Sequence, residues 1–414
     1  MRLVVLGGSG SSTPELFDAL SDWPGGVARR PPLEVVLVGR SVDKLCVVAN
    51  ACRSRIATGG PRVEVATSTD RRAALQRADV VLNQVRVGGY AARAFDESFP
   101  WAFGLPGEET MGPGGFANAR RTLPVLAGTW DDVAQVAPAA LVVNLTNPAG
   151  IVQTAAHHSH PGLHIVSVCD SPMPMLAAIA ERLARPLAQV RRRYVGMNHL
   201  GWYVPESTDE LREIADLATG VEPEVVQLHE ALPAPYVRYY VHPDRILATQ
   251  QGHETRAQAL QKLEATLLAG YGTGTTGVAR RGAVVWYRMA VVALIDGWLN
   301  GTDEPLLAGV RNNGRLRWLP DDAVLELSHD ASRPATLVAV PSVALPPLPQ
   351  AMLAAHAWYE VLTADGATHD TEAARLRALL ANPLVRGLDQ AMGLLHAIEE
   401  GPTRRAEPST MAGS

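Results

Sequence analysis

Arg2-Leu-Val-Val-Leu-Gly-Gly-Ser-Gly-Ser-Ser-Thr-Pro-Glu15 is the stretch whose reading decides the fold. Leu3–Leu6 is a short apolar run of strand character. Gly7–Thr13 is a glycine-rich turn. Pro14-Glu15 then opens a helix, proline being suited to a first turn because its missing N–H has no partner there. The same alternation recurs downstream. Glu34–Val38, Val80–Leu82, Leu141–Asn144 and His164–Cys169 read as further strands separated by helical stretches. Short β-rich runs alternating with helices argue for βαβ units and a parallel sheet. The expected class is therefore α/β, with an N-terminal Rossmann-like, doubly wound parallel sheet. Glycine or polar residues follow strand after strand, and ligands sit at such C-terminal strand ends.

After about residue 170 the rhythm changes. Gly282–Trp298 and Leu376–Glu400 read as longer helices, Arg311–His329 as a shorter, turn-rich segment, and Thr336–Val340 as a strand. Pro341–Pro349 reads as a proline-rich connector and the last fourteen residues as a frayed tail. The expected division is a dinucleotide-binding domain over 1–170, a mixed α+β catalytic and oligomerisation domain over 171–400, and a tail over 401–414.

Composition narrows the function. The 414 residues carry a net charge of −5 with no dense Lys/Arg block, which argues against nucleic acid as a partner. No apolar run is long enough for a transmembrane helix, so no membrane partner is expected. The N-terminus enters a strand at once, with no secretory leader pattern, and cytoplasmic residence is the default. Cys46, Cys52 and Cys169 give an odd number of thiols and no disulfide framework.

Asn83–Arg121 packs glycine, arginine, carboxylate and amide into one segment just after a strand. Glycines let backbone approach a ligand closely, and arginines grip carboxylate or phosphate through a planar fork. This segment reads as one wall of a small-molecule site. The Gly7–Ser12 turn suits a dinucleotide, whose pyrophosphate backbone amides at a helix start can cradle. Gly8-Ser-Gly10 lacks the third glycine of the usual fingerprint, so a plain structural turn is an equal reading. The second strand ends in Gly39-Arg40-Ser41 where a carboxylate often meets the ribose, which leaves NADP as the alternative to NAD. Cys169 and His199 do not form a metal motif by spacing; a buried thiol and a core histidine are the plainer reading. The His157, His158, His160 and His164 cluster lies at the wrong sheet edge for a site. Tyr236-Val-Arg-Tyr-Tyr240 is an aromatic stripe whose bland reading is half-buried helix surface.

Taken together, these segments resemble glycoside hydrolase family four, the NAD- and metal-dependent glycosidases that depart from two-carboxylate hydrolysis. The resemblance rests on Leu6–Leu16, Asn83–Gly89 with Ala92-Arg93, Gly107–Phe116, Asn144–Gly150, Val168–Asp170, Gly196–His199, Tyr236–Tyr240, and Asn312-Asn-Gly314 with Leu319–Asp322. It is strongest to the 6-phospho-β-glucosidase branch, and it implies a C-terminal domain like that of lactate and malate dehydrogenases. It further implies oxidation at sugar C3 by NAD, removal of the C2 proton, elimination of the aglycone, addition of water and return of the hydride. Under this resemblance Gly7, Gly8, Ser9, Gly10, Ser11, Ser12, Arg40 and Asn83 bind the cofactor. Cys169 and His199 ligate Mn²⁺ or another divalent cation. Tyr240 is the C2 base and Asp170 the leaving-group acid. Arg86, Arg93, Glu109 (less so Glu108), Asn147, Asn198 and Arg280 face a sugar or sugar-phosphate substrate. A homo-oligomer, dimer or tetramer, is the family habit. Arg280–Trp286 departs from the family's Arg-Gly-Gly-Ala-Tyr-Tyr-Ser pattern, which leaves the 6-phosphate open. A sugar oxidoreductase or epimerase without bond cleavage is the alternative.

Overall fold

The computed structural model describes residues 1–56, 60–274, 282–333, 337–339 and 343–401. Six strands, β1 (Arg2–Leu6), β2 (Leu33–Val38), β3 (Val63–Ser68), β4 (Val80–Asn83), β5 (Leu141–Asn144) and β6 (His164–Ser167), form one sheet in the order β3-β2-β1-β4-β5-β6. Every pairing in it is parallel. Strands with both faces covered by helices become near-continuous apolar runs. Accordingly β1, β4 and β5 are buried almost end to end.

Alternation along each strand divides the core in two. Val4, Leu6, Val36, Val81 and Val142 face the helix Gly112–Val136, whose Trp130 is buried among them. Leu3, Val5, Val35, Leu37, Val80 and Leu82 face the helices Thr13–Ser21 and Val42–Arg53 on the other side. Strand order reverses between β1 and β4, and in open α/β sheets ligands bind beyond the C-terminal strand ends at such a reversal. Leu6 and Asn83 are register partners at that reversal.

The second sheet is antiparallel. β7 (Tyr194–Met197), β8 (Leu200–Tyr203), β9 (Leu232–Pro233), β10 (Thr302–Arg311) and β11 (Val324–Ala331) run in the order β10-β11-β7-β8-β9, with β12 (Val338–Ala339) on β11. Its apolar face packs on the helix Pro347–Thr368.

The parallel sheet follows the reading of the sequence, but several elements differ. β3 was not anticipated because it is an edge strand, half-exposed and mixed in polarity. Arg311–His329 is not merely turn-rich: it holds the end of β10 and most of β11, an antiparallel pair. The proline-rich connector ends early, because Pro347 starts a 22-residue helix. Leu376–Glu400 is two helices, Glu372–Ala381 and Leu388–Glu400, separated at Asn382–Gly387. The tail beyond Gly401 lies outside the described residues.

Candidate active site

The turn after β1 is shaped by what glycine permits. Gly7 has φ +78°, a left-handed conformation that side chains disfavour. A Cβ on Gly8 would lie 2.8 Å from Leu37 Cα, so backbone could not pass there with any side chain. The helix Thr13–Ser21 begins with no side-chain cap on its amides. Uncapped amides at a helix start suit an anion such as a pyrophosphate. Two tyrosines fix this turn: Tyr271 OH donates to Ser11 O at 2.8 Å, and Tyr287 OH lies 3.2 Å from Ser12 Oγ and donates to Gln84 Oε1 at 2.7 Å. Ser11 Oγ also reaches Glu264, which pairs with Lys44 at 2.6 Å. Arg40 is exposed at the end of β2.

Asn83, at the end of β4, is fully buried. Its Nδ2 donates to Asn144 Oδ1 at 2.8 Å, while its own Oδ1 has no partner among the described residues. An orphaned buried carbonyl costs roughly 1–3 kcal/mol unless something donates to it. A dinucleotide bound there would do so. The residues around the turn therefore fit NAD.

The Glu108–Met111 loop supplies the next wall. Glu109 is 5% exposed and held by Arg86 at 2.5 Å, Arg93 at 3.0 Å and Asn147 Nδ2 at 3.2 Å. Burial alone would raise its carboxyl, but the two guanidiniums outweigh it and hold Glu109 down to about 2. Arg93 also donates to Glu97 at 2.6 Å. Arg86, Arg93, Glu109 and Asn147 thus meet in one cluster. Asn118 was missed: its Nδ2 donates to the carbonyls of both Glu109 and Asn147 and ties the wall together. Only its place inside the long helix, facing that wall, reveals it.

Cys169 and Asp170 follow β6, and Asn198-His199 form the two-residue turn between β7 and β8. His199 has φ +65°, sparsely populated for any residue but glycine. Such strain, of order 1–3 kcal/mol, persists where surrounding contacts over-determine it. Those contacts are visible. The ring lies flat on Tyr236, with centroids 3.9 Å apart and planes 4° apart. Glu108 Oε2 is 3.8 Å from Nδ1, and Cys169 is close enough to act on the ring electrostatically. Burial opposes the imidazolium, yet the adjoining Cys169 and Glu108 raise the His199 pKa well above the usual range. Cys169 Sγ accepts the Ser171 amide at 3.4 Å. Asn198 Oδ1 is buried without a partner among the described residues.

Cys169 and His199, a sulfur and an imidazole ligand close to one another, fit a divalent cation. Among the described residues no third His, Cys, Asp or Glu joins them as a ligand group. Behind them sit Tyr194 and Glu326, not anticipated from the sequence; Tyr194 OH donates to Glu326 Oε2 at 3.1 Å, and burial pushes the Glu326 carboxyl up.

The two tyrosines of the stripe stand in different surroundings. Tyr240 lies against His356. Its hydroxyl is 3.0 Å from His356 Nδ1, and its ring packs among the apolar residues behind the site. Burial lifts its pKa, with Tyr359 and Glu360 adding to the effect. Tyr236 is the member of the stripe that faces Cys169 and His199. The Pro235–Val237 turn precedes the short helix Arg238–Val241, so residues 236 and 240 point to different surroundings. The histidine cluster stands elsewhere, His158 pairing with Asp322 and Asp365. Arg280 lies outside the described residues.

Residues 4–185 match the family 4 glycosyl hydrolase profile, and residues 194–385 match the C-terminal domain of the same family. The chain belongs to glycosyl hydrolase family 4. It is a family 4 glycosidase, and the sugar oxidoreductase alternative is not favoured. A 6-phospho-beta-glucosidase, BglT, from Thermotoga maritima is 28% identical over 97% of this chain and 98% of its own length. A probable 6-phospho-beta-glucosidase of Bacillus subtilis is 28% identical over 79% and 80%. The Thermotoga 6-phospho-beta glucosidase structure solved with NAD and glucose-6-phosphate superposes with a TM-score of 0.84, covering 97% of this chain and 98% of that one at 28% identity. The same enzyme has been solved with manganese, NAD⁺ and glucose-6-phosphate. A lactate dehydrogenase from Trichomonas vaginalis shares the fold at 12% identity and a TM-score of 0.55. The expected likeness of the family 4 architecture to the dehydrogenases therefore holds. Among the described residues no helix is long and apolar enough to cross a membrane.

Proposed function

We propose that this family 4 chain cleaves 6-phospho-β-glucosides, using NAD and a divalent cation such as Mn²⁺. What supports the reading is the proximity of Cys169, just after β6, to His199, in the β7–β8 turn, close enough for each to act on the other electrostatically. The Thermotoga relative, solved with NAD, manganese and glucose-6-phosphate over nearly the same length, supports both cofactors and the sugar phosphate.

When bound, NAD would accept and return a hydride at sugar C3, and the cation would polarise the neighbouring sugar oxygens. Cys169 and His199 would hold that cation. The Gly7–Ser12 turn and the free carbonyl of Asn83 would hold the dinucleotide. Asn147 and the Glu109 carboxylate, oriented by Arg86 and Arg93, would grip sugar hydroxyls. Arg40 and Asn198 would complete the proposed cofactor and substrate contacts. Tyr236 would take the proton from C2 once C3 is a ketone. Burial and the charges of Glu108 and Cys169 raise the Tyr236 pKa, so the phenol needs a cation beside it to act as a base. Asp170 would protonate the leaving oxygen.

The test is incubation with an aryl 6-phospho-β-glucoside, NAD⁺ and Mn²⁺, beside the unphosphorylated glucoside. The expected result is aryl release with no net NADH, confined to the phosphorylated substrate. Lasting NADH absorbance without aryl release would overturn the reading. The homo-oligomer is carried as part of the proposal, with exposed Leu228, Trp358, Leu388 and Met392 as apolar surface available to it.

A further inference from the structure

The Glu108 carboxylate is spent differently from its neighbour Glu109. Glu109 is neutralised by two arginines. Among the described residues, His199 is the one basic side chain at ion-pair distance from Glu108. Glu108 is nearly buried, at 9% exposure. Its Oε2 accepts two backbone amides, Thr110 N at 2.6 Å and Met111 N at 2.9 Å. The same oxygen lies 3.8 Å from His199 Nδ1, beyond hydrogen-bond length but within ion-pair range, and that nitrogen makes no hydrogen bond among the described residues.

The loop that carries Glu108 cannot slide away. A Cβ on Gly107 would collide with the Glu97 carbonyl, one on Gly114 with the carbonyls of Asp96 and Glu108, and one on Gly115 with the Thr110 carbonyl. Backbone is packed on backbone along this turn, so the carboxylate stands at a fixed place beside the imidazole.

We propose that Glu108 is the positioning residue of the cation site: its fixed charge, 3.8 Å from Nδ1, favours the proton on that nitrogen and so leaves the Nε2 lone pair for the metal. Metal-bound histidines commonly give their second N–H to a carboxylate, which sets tautomer and ring orientation and strengthens the ligand. Tyr236 fixes the ring plane from one face, and Glu108 fixes its rotation within that plane. Positive φ at His199 leaves the backbone little freedom to present the ring otherwise. With two protein ligands only, the site depends on the orientation of each. The inference rests on the proposed metal reading and extends it to a residue beyond the two ligands.

The experiment titrates Mn²⁺ into the full-length protein, with free ion read by its electron paramagnetic resonance signal. Four proteins are compared: wild type, Glu108→Gln, Glu108→Asp and Cys169→Ser. Glu108→Gln keeps an oxygen for the two loop amides but loses the charge facing Nδ1. It should bind Mn²⁺ about 10-fold more weakly or worse, with NAD⁺ affinity and melting temperature unchanged. Glu108→Asp keeps the charge, draws it back from Nδ1 and should give a smaller loss. Cys169→Ser should bind most weakly. A Glu108→Gln affinity within twofold of wild type, while Cys169→Ser is impaired, would overturn the positioning role alone. Failure of the wild type to take up Mn²⁺ would overturn the metal reading beneath it.

Discussion

Glu109→Gln removes one charge from a buried cluster that holds two positive charges against it. The wild-type carboxyl titrates at about 2 in the folded protein, against an ordinary 4.5. That difference corresponds to roughly 3 kcal/mol of folding stability at neutral pH. The sign follows from the direction of the shift. A depressed carboxyl stabilises the fold fully above its unfolded pKa and loses that contribution as pH falls toward the folded value. Glu109 should therefore contribute its full share at pH 6–7, about 1 kcal/mol less near pH 4, and progressively less toward pH 2. The amide variant also leaves Arg86 and Arg93 with a weaker partner. Arg93 keeps Glu97 at 2.6 Å, so the loss falls mainly on Arg86. Removing one member of a buried pair typically costs about 3–5 kcal/mol. The assay is urea unfolding of wild type and Glu109→Gln at pH 7, 5 and 4, without ligands. The expected outcome is a destabilisation of about 3 kcal/mol at pH 7 that narrows at pH 4. A difference below about 1 kcal/mol at pH 7, or one that does not change with pH, would refute the view that paired guanidiniums dominate this carboxylate.

Other expectations follow from the same geometry. Tyr236→Phe should lower kcat by at least about 100-fold, whereas Tyr240→Phe, which loses only its contact with His356, should keep kcat within about tenfold and lose stability by about 1 kcal/mol; steady-state kinetics and melting curves on both variants decide the assignment. Asn83→Ala should raise the NAD⁺ Kd by about tenfold, in line with one lost buried hydrogen bond of about 1.4 kcal/mol. Calorimetric titration reads that change, and an unaltered Kd would remove Asn83 from the cofactor site.

The legible part of the sequence was the part governed by local rules. Val4, Val36, Val81 and Val142 lie in strands whose apolar runs announce a sheet covered on both sides. Gly7 and Gly8 mark the turn because no other residue meets its backbone demands. The Arg86, Arg93 and Glu109 wall was readable from its density of charge among glycines. What the sequence concealed depends on long-range packing. Cys169 and His199 are thirty residues apart, one after β6 of the parallel sheet and the other in the β7–β8 turn of the antiparallel one, and only the packing of the two sheets brings them near each other. Tyr236 and Tyr240 share one stripe, and their separation comes from the change of backbone course at Val237–Arg238. Glu326 comes from β11, whose single register partner on β7, Gly196, sits three residues before His199. No local pattern could have announced that neighbour. Helix Pro347–Thr368 was hidden because three prolines at its start read as a connector, although proline is well tolerated in a first turn.

The most direct test of the elimination route is turnover of an aryl 6-phospho-β-glucoside in D₂O with NAD⁺ and Mn²⁺, with the glucose 6-phosphate product analysed by NMR. Proton removal by a protein base and its later return predict deuterium at C2 of the product. Product that keeps its original C2 hydrogen throughout turnover would contradict the account.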